Sequence, residues 1–522
     1  MQQLSYLKSS PQFSSSLKAD SEKKNFTRQV NHAHFSLAET KKPEDPKWVH
    51  ISSSFLKEYE LEGGDHEKLL RQLSGAEKFN GFESYAMCYG GHQFGHWAGQ
   101  LGDGRAINIA ELEVNDKNLK FQLKGAGPTP YSRRADGFAV LRSSVREYLC
   151  SEAMHHLGVP TTRALSLITT GDVVSRDMLY NGNPKDELGA VVCRVSESFI
   201  RFGSFEILAS RGEKEELKQL VDYTIKHHFS ELGEPSKPTY LAFFKEVVSR
   251  TKDLIIHWQR VGFVHGVMNT DNLSILGQTI DYGPYGWLEN FDPNWTPNTT
   301  DLENKRYRFG RQPNVALWNL TQLANALYPL IEDVEPLQEI LQEYKKEYTL
   351  GFHKMMCQKL GLTLREQVKE EFITQLEDNL EKSQIDMTLF FRKLSSEKAL
   401  DFESFWSILT ETTYLGDEEL TAEKVHWEMW FENYREMIQK ENCNSTERSL
   451  KMKAVNPKYV LRNYMAQLAI DAAEKGDNTV VEELYQLLLK PYDAQPEMEK
   501  WFVKRPQWAM NKVGCSMLSC SS

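Results

Sequence analysis

Cysteine is scarce in this chain, with seven in 522 residues, an odd number lacking metal-ligand spacing. That argues against a disulfide-stapled scaffold and against a zinc site, and it makes a reducing compartment the default. An excess of positive charge is also missing. Lys and Arg total 62 against 73 Asp and Glu, a formal net charge of -11. The chain as a whole is therefore poorly suited to holding a polyanion by bulk attraction, no nucleic-acid partner is expected, and any phosphate site has to be local. No stretch reaches the roughly 18 consecutive apolar residues of a membrane span, so no membrane partner is expected. The first residues lack the apolar run of a secretory signal, and no solenoid-type repeat is present.

What is present is the composition of an ordinary globular, enzyme-sized protein: 40% hydrophobic, 26% charged and 11% aromatic residues, enough for two or more packed lobes. The opening residues, with "SSPQFSSSLKADSEKK", are rich in Ser and Lys and poor in periodic apolar positions, and residues 1–45 are expected to form a flexible tail. As an organelle transit peptide this tail is weak, because it carries Asp20 and Glu22 and its only early arginine is Arg28. Residues 46–235 mix β-like runs ("KFQLKGAG", "GAVVCRV") with an amphipathic helix pattern, "RSSVREYLCSEAMHHLGV". Residues 236–510 read as mainly helical, and 511–522 as a second flexible tail. The fold class is α+β.

The segment "HGVMNTDNLSILGQTIDYGPYG", residues 265–286, follows the helical run "YLAFFKEVVSRTKDLIIHWQRVG". Two apolar arms around Gly277-Gln278 predict a tight hairpin that brings Asn272 and Asp281 together, with Asp271 beside them. One amide oxygen and one carboxylate suit a hard divalent cation, although these residue types also favour turns and caps. The spacing from His265 to Asn272 ahead of Asp281-Tyr-Gly matches the H-R-D-x-x-x-x-N and D-F-G elements of protein kinases. Val267 occupies the usual base position, so the nearest carboxylate available as a base is Asp271.

A kinase-like site also needs a strand lysine steadied by a helix glutamate. Lys124, after the apolar "FQL", and Glu147, in the helical pattern, are the candidate pair. Upstream, "GQLGDGRA" offers Gly99, Gly102 and Gly104 with Arg105, a permissive turn able to present N–H groups to phosphates. Arg194 and Arg201 lie among apolar neighbours in "CRVSESFIRFGSFE", and an arginine fork suits phosphate oxygens. Asp136-Gly137 reads as a turn before the helix. His92 and His96 in "GGHQFGHWAG" are four apart, but the intervening glycines weaken a helix and no third ligand is near, so packing or hydrogen bonding is expected of them.

With these pieces in order, the chain resembles the selenoprotein O (SelO/YdiU) family of kinase-like protein adenylyltransferases. The matching segments include "GHQFGHWAGQLGDGRA", "FQLKGAGPTPYSRRADG", "LRSSVREYLCSEAMHHLGVPTTRAL", "RVSESFIRFGSFE", "HGVMNTDNLSILGQTIDYGPYG" and "NPKYVLRNYMAQLAI". The resemblance implies a two-lobed kinase-like fold with a mixed α/β N-lobe, a mainly helical C-lobe and a C-terminal helical extension. It implies transfer of AMP from ATP to Ser, Thr or Tyr hydroxyls of protein substrates, with Mg2+ (or Mn2+) as cofactor and the nucleotide reversed relative to ordinary kinases. Carried over, Lys124, Arg194 and Arg201 would contact phosphates and Glu147 would position Lys124. Gly102, Gly104, Arg105, Asp136, Gly137 and Asp281 would line the nucleotide pocket, Asn272 and Asp281 would hold the metal, and Asp271 would accept the proton. Family members end in a cysteine or selenocysteine followed by two small residues, a place held here by Cys520. Where some relatives carry a further cysteine after the metal-binding hairpin, this chain has Pro297, which leaves Cys515 as the alternative redox partner. The resemblance further implies a monomer, cytoplasmic if bacterial and mitochondrial if eukaryotic. Two rival readings share these residues: a phosphotransferase attacked at the γ-phosphorus, and a silent nucleotide-binding scaffold, against which the retention of Lys124, Asn272 and Asp281 argues.

Overall fold

A computed structural model describes residues 2–178, 181–363, 366, 368–397, 399, 401–441, 444–515 and 517–519. Its main sheet is built from β1 (Phe35–Leu37), β2 (Lys47–Ile51), β3 (Tyr85–Met87), β4 (Ala106–Val114), β5 (Lys117–Lys124), β6 (Ala139–Val140), β7 (Arg163–Arg176) and β8 (Lys185–Ser196). The strands run in the order β1-β3-β4-β5-β8-β7-β2, with β6 on β8, and every neighbouring pair is antiparallel. The period-2 alternation of a strand places Lys120, Gln122 and Lys124 on one face of β5 and Leu119, Phe121 and Leu123 on the other. Arg194 of β8 sits opposite Gln122 in register, so Lys124 and Arg194 emerge on the same face of the sheet.

That face meets α1 (Leu141–His156), which packs against β7 and β8. The amphipathic expectation for α1 is corrected by the structure: from Arg142 to Met154 all but Ser143 are buried. The reason is a second cover, because α7 (Asn463–Ala473) and α8 (Thr479–Leu488) pack on the helix as well. Its polar residues are thus held by partners rather than by water, Glu152 by Arg163 at 2.9 Å and Glu147 by the site described below.

Beyond the sheet, α2 (Phe202–Ser210), α3 (Lys214–His228), α4 (Lys237–Val261), α5 (Gln312–Ile331) and α6 (Glu335–Leu360) carry the chain to its helical part. α4 starts at Ser236, whose hydroxyl accepts from Thr239 N, and stops at Gly262, whose φ of 73° is left-handed. One apolar core runs from Leu4 to Cys515 on both sides of residue 235, and the helices between Glu370 and Val455 build a second apolar cluster.

The expected tail at 1–45 is an integral part of the fold. Leu4, Phe13, Leu17, Val30 and Phe35 are buried, each worth about 1.5–3 kcal/mol for a large side chain, and β1 extends the sheet. The buried carboxylate of Glu111 on β4 accepts from the backbone N–H of Gln12 (2.6 Å), Phe13 (2.8 Å) and Ser14 (3.1 Å), fixing the short helix Phe13–Ser16. The expected flexible tail at 511–522 is also corrected for its described residues. Cys515 and Leu518 are buried, and Leu518 O accepts from Thr299 N at 2.7 Å. Cys520 lies outside the described residues.

Candidate active site

Between the sheet and residues 267–284, which follow α4, lies a cleft of about 640 Å³. Gly102, Gly104, Arg105, Lys124, Asp136, Gly137, Arg194, Arg201, Asp271, Asn272 and Asp281 all line it, although they come from segments spread over 180 residues of chain. Glu147 stands behind the wall and reaches it through Lys124.

The central group is ionic. Lys124 Nζ lies 2.6 Å from Glu147 Oε2 and 2.5 Å from Asp281 Oδ1. Arg194 Nη1 lies 3.1 Å from Glu147 and 3.4 Å from Asp281, donates to Ile280 O at 3.2 Å, and its Nη2 donates to Gln122. Arg201 donates to Asp271 O at 2.7 Å, stands 4.0 Å from Asp281 Oδ2 and stacks over Tyr89. Burial alone would raise the Asp281 pKa, but Lys124, Arg194 and Arg201 hold it well below the usual carboxylate range. Asp271 has the opposite balance: burial pushes it up to about 7 against the pull of Arg201 and a hydrogen bond from Gln93. Two carboxylates ten residues apart thus differ in basicity because only one of them faces three cations at close range.

Asn272 is placed by its own backbone turn, a 3₁₀ segment Thr270–Asn272, and by Nδ2 donating to Val267 O at 2.9 Å. The expected hairpin is reduced to one bridge, Leu273 with Thr279. Its turn falls at Ser274–Gly277, where Ser274 O accepts from Gly277 N at 3.1 Å, rather than at Gly277-Gln278. The arms pair instead with other parts of the chain, Ser274 with Arg201 and Thr279 with Thr161, which is why they do not extend along each other.

The glycine turn differs from its expected use. The N–H groups of Gly102, Asp103 and Gly104 donate to Tyr89 O, Met87 O and Gly102 O, so they are spent within the protein. The glycines are required by the loop packed on them. A Cβ at Gly102, whose φ is 72°, would lie 2.4 Å from the Tyr131 ring, and one at Gly137 would lie 2.3 Å from the Gly127 backbone. Asp136 is tied down by Arg176 at 2.7 Å and caps Phe138 N at 3.0 Å. His92 and His96 sit on the two strands of the Gly90–Gln100 hairpin, and His92 Nδ1 is 2.6 Å from Glu206. Cys515 is buried and burial pushes its thiol up to about 11, which opposes the thiolate that redox exchange needs.

Residues 18–490 match the family described as Protein adenylyltransferase SelO. The chain belongs to the SelO family. A relative from Flavobacterium johnsoniae named protein nucleotidyltransferase YdiU is 57% identical over 520 residues, covering 99% of both chains. One of the same name from Rhodopirellula baltica is 51% identical over 98% of both, and one from an Azoarcus species is 49% identical over 97% of this chain and 98% of its own. Nucleotidyl transfer is the activity for which the SelO family and these relatives are named.

The cleft also holds residues that sequence reasoning missed. Arg133 and Arg134 line the cleft beside Arg105, and none of the three has an ion-pair partner among the described residues. The doubled arginine Arg133-Arg134 was the signal, two adjacent cations in an acidic chain. Gln93 lines the cleft too and touches Asp271, a contact across 178 residues that no local pattern announces.

A hard cation fits the donor set. Among the described residues, Asn272 Oδ1 accepts no hydrogen bond and Asp281 Oδ2 meets only Arg201, at 4.0 Å. No group of three His, Cys, Asp or Glu among the described residues is placed to hold a metal, so such an ion would complete its shell with water and phosphate oxygens, the habit of Mg2+.

Proposed function

We propose that this chain transfers AMP from ATP to Ser, Thr or Tyr hydroxyls of proteins, and that its sheet-bearing and helical parts act as the two lobes of a kinase-like fold. The supporting observation is the composition of the cleft. Lys124, Arg194 and Arg201 at its floor and Arg105, Arg133 and Arg134 at its wall gather positive charge locally in an acidic chain, beside a buried carboxylate with a free oxygen.

In this reading the triphosphate lies along the cations, and Asn272 and Asp281 would hold Mg2+. When bound, that ion would neutralise phosphate charge and fix the nucleotide relative to Asp271. Glu147 keeps Lys124 extended into the cleft, while Gln122 and Glu147 orient the Arg194 fork. Asp271 takes the proton of the acceptor hydroxyl as its oxygen bonds to the α-phosphorus. The bond from that phosphorus to the bridging oxygen breaks, and pyrophosphate leaves with the electron pair. Fixed cations facing the developing charge supply most of the barrier lowering, and the base contributes on the order of 10²–10⁴-fold. The named relatives are bacterial, which favours the cytoplasmic over the mitochondrial alternative.

The test is incubation with Mg2+, an acceptor protein and ATP labelled at either the α- or the γ-phosphorus. Label from the α-position on the acceptor, lost in Asp281→Ala, is the expected outcome. Label from the γ-position on the acceptor would mean a phosphotransferase, and no label from either would mean a silent scaffold.

A further inference from the structure

The Gly90–Gln100 hairpin lies directly on Asp271. Gln93 Nε2 is 3.3 Å from Asp271 Oδ2, and it is the one side-chain donor to this carboxylate among the described residues. Oδ1 is buried and has no partner. The hairpin is pinned on both sides of Gln93: His92 N donates to Thr270 Oγ1 at 2.7 Å, and Phe94 N donates to Tyr307 Oη at 2.9 Å and Asn269 Oδ1 at 3.2 Å. Close contact is possible because residue 91 is glycine. A Cβ there would lie 2.7 Å from Asp271 Oδ1 and 2.9 Å from Asp271 Cβ.

We propose that Gln93 is a positioning residue for the proton acceptor. Its amide holds Oδ2 while Oδ1 packs against Gly91, so that the contacts from Gly91 to Phe94 fix the carboxylate plane relative to the cleft. This rests on the AMP-transfer reading, and it gives that reading's base a specific support. A carboxylate anchored through one oxygen cannot rotate away from the reacting hydroxyl. A misplacement of about 1 Å near the reacting atoms can cost about 10²-fold in rate.

The experiment measures transfer of α-labelled AMP to casein, used as a hydroxyl-rich acceptor, by the full chain and by Gln93→Leu, Gln93→Glu, Asp271→Asn and the double variant Gln93→Leu/Asp271→Asn. Gln93→Leu should lower kcat about 10- to 100-fold with the KM for ATP within about twofold, since the amide touches no group assigned to the nucleotide. Gln93→Glu keeps the shape but removes the donor, so it should fall at least as far. In the Asp271→Asn background Gln93→Leu should have no further effect, because a residue acting through another is silent once the other is gone. A merely structural role predicts instead that the two losses multiply, or that Gln93→Glu retains full rate, and either result overturns the assignment. If Asp271→Asn keeps full activity, the base reading itself falls. If Asp271→Asn is inactive while Gln93→Leu is unimpaired, only the positioning role falls.

Discussion

Around Asp281, a lysine and two arginines face two carboxylates with a cleft open on one side, whereas around Arg462 one guanidinium faces Glu289 and Asp386 with all three buried. The second cluster is closed. Asp386 takes both Arg462 Nη atoms at 2.8 Å, a further bond from Tyr414 Oη at 3.0 Å and the N-terminal N–H of Leu389 at 3.0 Å, and none of the three ionic residues contributes a buried atom without a partner. The first cluster leaves Arg194 Nε, Arg201 Nε and Asp271 Oδ1 buried and unpartnered. Unpaired buried polar atoms are costly, and a fold tolerates them where something else is to be bound. The difference between the clusters fits one that fastens helical segments together and one that, in the proposed reading, takes a ligand.

Removing one cation from each cluster tests this difference. Arg462→Met should cost about 3–5 kcal/mol of stability, because Glu289 and Asp386 are left buried without compensation. The urea midpoint reads this, and label transfer per folded molecule should stay at the parent level. Lys124→Met should do the reverse. Transfer should fall about 10²–10³-fold, with a smaller loss of stability than Arg462→Met, since Arg194 and Arg201 still face Asp281. Equal stability losses from the two variants would erase the distinction.

A steric pair sharpens the account of the cleft wall. Gly99 and Gly102 both have φ of 72°, but a Cβ at Gly102 meets the Tyr131 ring at 2.4 Å while one at Gly99 meets nothing within 4 Å. Both alanine variants carry the backbone penalty of about 1 kcal/mol, and Gly102→Ala should lose a further ~1–3 kcal/mol and weaken ATP binding. Thermal unfolding with and without ATP separates the two.

The smallest expected effect is one of pH, and its sign differs between the clusters. Asp281 is held below its ordinary 3.8, so its contribution to stability is present above that value and fades as pH falls further. Glu289 is raised above its ordinary 4.5 by burial, with Asp386 close by, so the folded state resists its ionisation and the parent loses stability as pH rises through the range above 4.5. Glu289→Gln should therefore gain on the parent across that range, whereas the gap between the parent and Asp281→Asn should close below pH 3.8. Urea titrations at stepped pH check both.

Much of the site was legible because its residues sit in elements with strong local patterns. The apolar "FQL" before Lys124 reads as a strand, and the helical pattern from Leu141 to His156 places Glu147 where it can return to that strand. What was not legible depends on distant partners. Residues 2–45 lack periodicity because they dock singly, Leu4 and Phe13 into a core made by the rest of the chain and Gln12 to Ser14 onto the carboxylate of Glu111. The burial of α1 on both sides depends on α7 and α8, some 320 residues later, so its polar positions read as solvent-facing. The glycine turn looked built for phosphate because its composition is right, while the acceptors of its N–H groups, Tyr89 O and Met87 O, come from a neighbouring stretch that the pattern does not show.

The most direct measurement is a crystal structure of the chain with Mg2+ and a non-hydrolysable ATP analogue. The α-phosphorus should face the Asp271 carboxylate, the phosphates should lie along Lys124, Arg194 and Arg201, and an ion should sit between Asn272 and Asp281. A terminal phosphoryl group pointing at Asp271 instead, or no ion between those two ligands, would contradict the proposed reading.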